Sequence, residues 1–576
     1  MKLIEILQDN ARYRNISGKK KILYLSNFSM IPIDEVLAYH MRLLGINIEV
    51  TIGLLNSPVE QIKKHSYNHD MIIVNIDLFS IFTSIGDLND TSLEKYKQLE
   101  DYYTGLINQV LGSTPASREI LLVSVSKAWI TNYPSHGSEM NKVIDRCKGF
   151  LDQIEQDNVQ IVDLDKLINI LGHSVSFNEK KNIIDPSPYS YIFTKYLSEI
   201  IATYLINRLL TSKKLIILDG DNTLWNGVVA EDGVKQIIQN NNLVSNELYR
   251  RVQQKIKFLK EQGIILALCS KNNEFEVLNL FEQKWSEFIE LEDFIKRRLN
   301  WKPKSINIMD ICKELNILPE SAVFVDDSLF EINEVLSAGQ QITCMQTPIN
   351  MIDFEIFDWK LDILFGSKAI TLEDLRKTKM YMEEDSRQDL ARKYIDYRDF
   401  LRSLNIKITL SKLVGIDQID RLLQLSTKTN QFNFLYSRLD KNRIQTMMKD
   451  SNYSFYTGSV TDNFGNYGMV ELIVVQKLAD DSSSARIIEF VLSCRAFGRD
   501  IAEQSLSYVI ESLKKENYTK IFCGFILTTK NHQFKDFLLP FKFRLHSMDD
   551  SNFEYVLQVE EFKPWHDNYP IVEADF

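Results

Sequence analysis

Asp219 and Asp221 stand two residues apart in Asp219-Gly220-Asp221-Asn222-Thr223, directly after the apolar run Leu215 to Leu218. Two carboxylates this close repel one another, and burial adds to the cost, so a pair of this kind calls for relief. A divalent cation with hard oxygen ligands, such as Mg2+, supplies that relief. So does a division of labour into one nucleophile and one acid/base. Gly220 lets the backbone come close to a ligand. Further along, the apolar run Ile264 to Leu268 ends at Cys269-Ser270-Lys271-Asn272. Lys304 follows in Trp301-Lys302-Pro303-Lys304-Ser305, and a third apolar run, Ala322 to Val325, ends at Asp326-Asp327. A hydroxyl and an ammonium can hold a phosphate, the lysine acting as a point charge. Of the two lysines, Lys304 abuts a helix start, where phosphate is favoured. The second acid pair can complete a metal shell.

These groups need elements to position them. Each apolar run has the length and content of a buried parallel strand. Helical patterns lie between the runs, including 247–261 and the Ile306, Met309, Ile311, Leu315 spacing. Strands alternating with helices predict a doubly wound sheet, with ligands just outside the carboxyl ends of its strands. The four motifs, in this order, resemble the haloacid dehalogenase (HAD) phosphatase superfamily, whose first motif is DxDxT. The resemblance implies Asp219 as nucleophile and Asp221 as acid/base. It implies Thr223, Ser270, Lys271, Asn272 and Lys304 as substrate or phosphate ligands. Asp219, Asp221, Asp326 and Asp327 would form the Mg2+ site. The spacing between motifs leaves no room for a large cap domain, which points to an open site or to one covered by a partner.

The whole chain sets wider bounds. At 576 residues it is too long for one core. A net charge of −11 gives no basic footprint for nucleic acid. The cysteines Cys147, Cys269, Cys312, Cys344, Cys494 and Cys523 are scattered and form no zinc or disulfide pattern. No apolar run approaches the roughly 20 residues of a membrane span, and the N-terminus is not a signal peptide, so a cytoplasmic location and no membrane partner are expected.

The expected division is a first α/β domain at 1–210, the HAD-like core at 211–345, a helical connector at 346–405 and a last α+β domain at 406–576. In the first, the strand Lys21 to Leu25 precedes Ser26-Asn27-Phe28-Ser29, and the arrangement is similar to SGNH-type hydrolases. Such enzymes need a serine, for which Ser26 is the candidate, and a late Asp-x-x-His. Asp185-Pro186-Ser187-Pro188 has no histidine, so the base is missing and a docking or scaffold role is expected. His136 and His173 are expected to be loop or surface histidines. In the last domain, Ser493-Cys494-Arg495-Ala496-Phe497-Gly498-Arg499-Asp500 follows a strand and opens a helix. This resembles the GNAT-type N-acetyltransferase fold, in which a related loop binds the coenzyme A pyrophosphate at a helix N-terminus. Arg499 stands where that loop has a small residue, so Arg495, Gly498 and Arg499 are expected to meet a phosphopantetheine arm.

The order SGNH-like, HAD, GNAT-like resembles the FkbH-like proteins of polyketide pathways, HAD class IIIC. That resemblance implies glyceryl transfer from 1,3-bisphosphoglycerate, through an enzyme thioester and with removal of the 3-phosphate, to the pantetheine thiol of an acyl carrier protein. Cys269, beside Lys271, is the candidate thiol, since a neighbouring cation lowers a thiol pKa. Cys494 is its rival. Two alternatives stand beside this reading: a simple Mg2+-dependent small-molecule phosphatase, and a non-enzymatic docking scaffold for a carrier protein.

Overall fold

The computed structural model describes residues 3–12, 19–30, 32–53, 58–65, 68–86, 90–128, 137–177, 189–210, 213–241, 246–339, 341–366, 383–384, 386–387, 390–412, 418–429, 432–434, 439–478, 481–493, 496–528, 531, 534–549, 552–565 and 569–575. The chain forms two compact units, Met1–Ile370 and Thr371–Phe576. Both are built from α and β elements.

The first unit carries two parallel sheets. One contains β1 (Lys20–Ser26), β2 (Ile48–Ile52), β3 (Met71–Asn75), β4 (Glu119–Val123) and β5 (Val159–Val162), in the order β2-β1-β3-β4-β5. The other contains β6 (Leu215–Leu218), β7 (Ile265–Ser270), β8 (Phe294–Leu299), β9 (Ala322–Asp326) and β10 (Thr343–Gln346), in the order β10-β9-β6-β7-β8. Every residue of β3, β6, β7 and β9 is buried. Continuous apolar strands result because helices cover both faces. In each sheet the strand order reverses next to the first strand, between β1 and β3 and between β6 and β9. Such switch points leave a crevice at the strand ends.

Helix Tyr191–Leu209 links the sheets. Ser190 caps it, its hydroxyl accepting from Phe193 N. The helix is apolar on most sides and buries Phe193, Leu197, Ile201 and Leu205. It packs against helices Ile33–Leu43 and Met351–Phe365. Lys360 and Glu199 pair at 2.5 Å across this contact, Tyr196 donates to Asp353 at 2.9 Å, and Asn207 donates to the Ile363 carbonyl at 2.8 Å. One continuous core therefore spans both sheets. Helix Met351–Phe365, expected in a connector, belongs to this core: Ile356, Phe357, Leu361 and Leu364 are buried within it.

The second unit is one mixed sheet with helices on it. Its strands are β11 (Lys407–Lys412), β12 (Tyr453–Thr461), β13 (Asn466–Lys477), β14 (Ser484–Leu492), β15 (Lys520–Ile526), β16 (Arg544–Asp549), β17 (Asn552–Gln558) and β18 (Ile571–Asp575). Their order is β16-β17-β15-β14-β13-β12-β11-β18. Helix Tyr397–Ser403, also expected in the connector, buries Phe400 and Leu401 in this unit's core. Strands β14 and β15 run parallel and pair only from Ser484 to Ile487 and from Lys520 to Cys523. Beyond that point residues 432–434 bridge them. Phe434 N donates to the Phe490 carbonyl at 3.2 Å, and Ile526 N donates to the Phe434 carbonyl at 2.9 Å. No helix among the described residues is long and apolar enough to cross a membrane.

Candidate active site

Asp219 continues β6 by one residue. Its N–H donates to the Val325 carbonyl at 3.0 Å, which ties the loop to β9 and sets the carboxylate at the switch point. Asp326 closes β9, and its Oδ1 accepts from Ser328 N at 2.9 Å. Asp219, Asp326 and Asp327 each offer a carboxylate oxygen within 4.8 Å of the others. Lys304 lies among them, 2.9 Å from Asp219 and 2.5 Å from Asp326. Burial opposes the charge on Lys304, but Asp219 and Asp326 outweigh it and hold the ammonium above the usual lysine range. Burial and then Asp219 push Asp326 and Asp327 upward. One ammonium against three acids leaves the crevice electron-rich. Hard oxygen donors in this number suit a small divalent cation.

Asp221 does not join that cluster, although the sequence placed it among the metal ligands. Its carboxylate is held elsewhere by three donors. Oδ1 accepts from the Trp225 indole at 2.8 Å and from Val229 N at 3.1 Å, and Oδ2 accepts from Asn272 at 2.9 Å. Burial outweighs these donors and raises the Asp221 pKa. Gly220 is required here, because a Cβ would lie 2.4 Å from the Trp225 ring and 3.2 Å from Ser270 Oγ. Asn222 takes φ +52° and exchanges hydrogen bonds with Gly227, closing the turn after the strand. Thr223, fully buried, shares a 2.9 Å hydroxyl contact with Thr347.

Ser270 ends β7, and its Oγ accepts from Asn272 at 3.0 Å. Lys271 pairs with Glu331 at 2.7 Å. At the start of helix Lys304–Glu314, Glu334 takes the Ser305 N–H at 3.0 Å as well as its hydroxyl, so a carboxylate of the chain already occupies that N-terminus. Lys302 is exposed. Cys269 is fully buried in β7, and burial, against the pull of Lys304, pushes its thiol up to about 12. A thiol in that state is protonated at neutral pH. Trp225, Glu331 and Glu334 were not anticipated. A signal existed for the glutamates, which lie three residues apart on the helix after Asp326-Asp327 and so share one face.

The other expected sites are spread out. Ser26 Oγ donates to the Phe28 carbonyl at 2.6 Å, and no histidine bonds to it among the described residues. His173 lies at the surface, 3.2 Å from the Ala128 carbonyl. His136 and 185–188 lie outside the described residues, as do Cys494 and Arg495. Gly498 adopts φ +76°, and its carbonyl accepts from Tyr397 at 2.8 Å. Arg499 is 7% exposed and donates to both oxygens of Glu384, at 2.6 and 2.8 Å. Next to it Arg387 binds Asp462 through two nitrogens, at 2.6 and 2.8 Å. A carboxylate of the chain thus stands where a ligand phosphate was expected at Arg499.

No family model matches the sequence, and no curated protein matches it. Among solved structures, the N-terminal part of a Bacteroides fragilis protein, containing a phosphatase domain complexed with Mg, is 22% identical with a TM-score of 0.47, covering 65% of this chain and all (100%) of its own. The ribosomal-protein-S18-alanine N-acetyltransferase of Escherichia coli is 10% identical with a TM-score of 0.21, covering 26% of this chain and 94% of its own. The PaiA N-acetyltransferase of Thermoplasma acidophilum, in complex with coenzyme A, is 14% identical with a TM-score of 0.22, covering 26% and 98%.

Proposed function

We propose that the chain is a Mg2+-dependent phosphoryl-transfer enzyme acting in the β6/β9 crevice. One observation carries this reading: the three strand-end carboxylates Asp219, Asp326 and Asp327 lie within 4.8 Å of one another around the buried Lys304. Asp219 and Asp326, with Asp327, would hold the ion, which when bound neutralises charge on a phosphoryl group. The residues do the rest. An oxygen of Asp219 bonds to phosphorus as the bond to the leaving oxygen breaks, and Asp221 gives that oxygen its proton. Ser270 and Lys304 hold phosphoryl oxygens. Asp221 then takes a proton from the water that releases phosphate.

The finer reading is glyceryl transfer, supported by the FkbH-like order of motifs. A cysteine thiolate attacks the acyl carbon of 1,3-bisphosphoglycerate and expels inorganic phosphate. The 3-phosphate is removed at Asp219. The glyceryl thioester then exchanges onto the pantetheine thiol of an acyl carrier protein. Cys269 directly precedes Ser270 at the end of β7, and its acylation requires that substrate entry expose and deprotonate it. Cys494 is the other candidate. Incubation with 1,3-bisphosphoglycerate followed by intact-protein mass spectrometry tests this: a glyceryl adduct is expected, mapping to the LALCSK peptide or to the peptide holding Cys494. The buried, protonated state of Cys269 favours the second reading, hydrolysis with no acyl-enzyme. Phosphate and free glycerate without any adduct would select it.

A further inference from the structure

Asn272 was expected to bind phosphate, but its contacts assign it otherwise. The side chain is 1% exposed. One N–H of its Nδ2 donates to Asp221 Oδ2 at 2.9 Å and the other to Ser270 Oγ at 3.0 Å, so both donors of the amide serve the chain. What remains is Oδ1, a buried acceptor with no partner among the described residues. An acceptor oxygen does not bind a phosphate.

Asp221 explains what the amide is for. A carboxylate oxygen accepts along roughly two lone-pair directions. On Oδ1 both are taken, by Trp225 and Val229. A proton bound for the leaving group can therefore sit only on Oδ2, the oxygen that Asn272 grips from one side. The second N–H of the same amide nitrogen donates to Ser270 Oγ, which turns the serine's own O–H outward as a donor. We propose that Asn272 is a positioning residue: it fixes the proton-carrying oxygen of Asp221 relative to the phosphate-holding hydroxyl of Ser270, so that the leaving oxygen falls between them. This rests on the phosphoryl-transfer reading above.

The test compares two substrates that differ in how much they need a proton. p-Nitrophenolate departs unaided, whereas an alkoxide requires protonation as it leaves. With Mg2+ present, Asn272→Ala in the full chain should lower kcat for an alkyl phosphate about 100-fold, the scale of general acid catalysis, and for p-nitrophenyl phosphate less than about tenfold. KM should stay within about twofold of wild type for both, since phosphate contacts are intact. Ser270→Ala should instead raise KM for both substrates alike. Should thermal melting show that the alanine variant does not fold, Asn272→Ser replaces it with the same expectation. Equal losses of kcat on both substrates, or a raised KM at unchanged kcat, would overturn the positioning role while leaving the phosphatase reading in place. Wild-type protein inactive on both substrates would overturn that reading and the proposal with it.

Discussion

The first unit holds two parallel sheets, each with a switch point, and they treat it differently. At the β1/β3 crevice the strand-end groups satisfy one another. Asn27 and Asp77 exchange hydrogen bonds at 2.8 and 2.7 Å, Asp77 also caps a helix through Ser80 N at 2.7 Å, and Ser26 is folded back on Phe28. At the β6/β9 crevice three acids crowd together, and two of them, Asp219 and Asp326, share Lys304. The difference teaches that topology supplies a crevice, whereas chemistry depends on whether the groups at its rim still need something from outside. A closed set of hydrogen bonds rigidifies the loops. An acid cluster keeps repulsion that a ligand can relieve.

The contrast breaks most readily at the nucleophile. Asp219→Asn should lower Mg2+-dependent phosphate release by more than about 10^4-fold, the scale of losing a catalytic nucleophile, while Ser26→Ala leaves it unchanged. Comparable losses in the two variants, read by a phosphate-release assay, would erase the distinction between the crevices.

Stability gives the next contrast. Lys304→Met leaves Asp219 and Asp326 buried without their cation, and in metal-free buffer should cost about 3–5 kcal/mol in urea unfolding. Added Mg2+ should restore much of it. Asn27→Ala loses only hydrogen bonds, about 1–3 kcal/mol, and should not respond to Mg2+. Insensitivity of the Lys304→Met protein to Mg2+ would place the ion elsewhere.

A carboxylate with no cation paired to it among the described residues sharpens the point in the second unit. Glu471 is fully buried on β13, and burial, outweighing nearby Ser505, raises its pKa from 4.5 to about 8. Folding therefore favours the protonated acid. Its stability contribution is intact below pH 4.5 and is lost progressively as pH rises towards 8. Glu471→Gln should remove this loss and gain about 3 kcal/mol at pH 7, with no gain at pH 4. Melting curves at the two pH values decide it; an equal change at both would mean that Glu471 is not the titrating group. The smallest effect is expected at the half-buried member of the acid cluster. Asp327→Asn should weaken Mg2+ binding about tenfold by calorimetry, roughly 1.4 kcal/mol. Unchanged affinity would remove Asp327 from the metal shell.

The strands β6, β7 and β9 were legible because each is a continuous apolar run that stops at acids or small polar residues. What the side chains do there was less so. Asn272 reaches Asp221 across 51 residues, and Lys271 reaches Glu331 across 60. Neither contact leaves a mark in local spacing, since it depends on which loops the sheet order brings together. The packing of the helices expected in the connector was hard to read for a different reason. Helix Met351–Phe365 buries residues on nearly every side, so it shows no amphipathic stripe to reveal a docking face. The break between units falls after it, at Ile370.

Fluoroberyllate, an analogue of a phosphoryl group on a carboxylate, tests the central claim most directly. In 19F NMR the wild-type protein should show a bound resonance that requires Mg2+ and disappears in Asp219→Asn. A bound resonance that persists in Asp219→Asn, or none in the wild type with Mg2+ present, would contradict the assignment of Asp219 as the phosphoryl acceptor in the β6/β9 crevice.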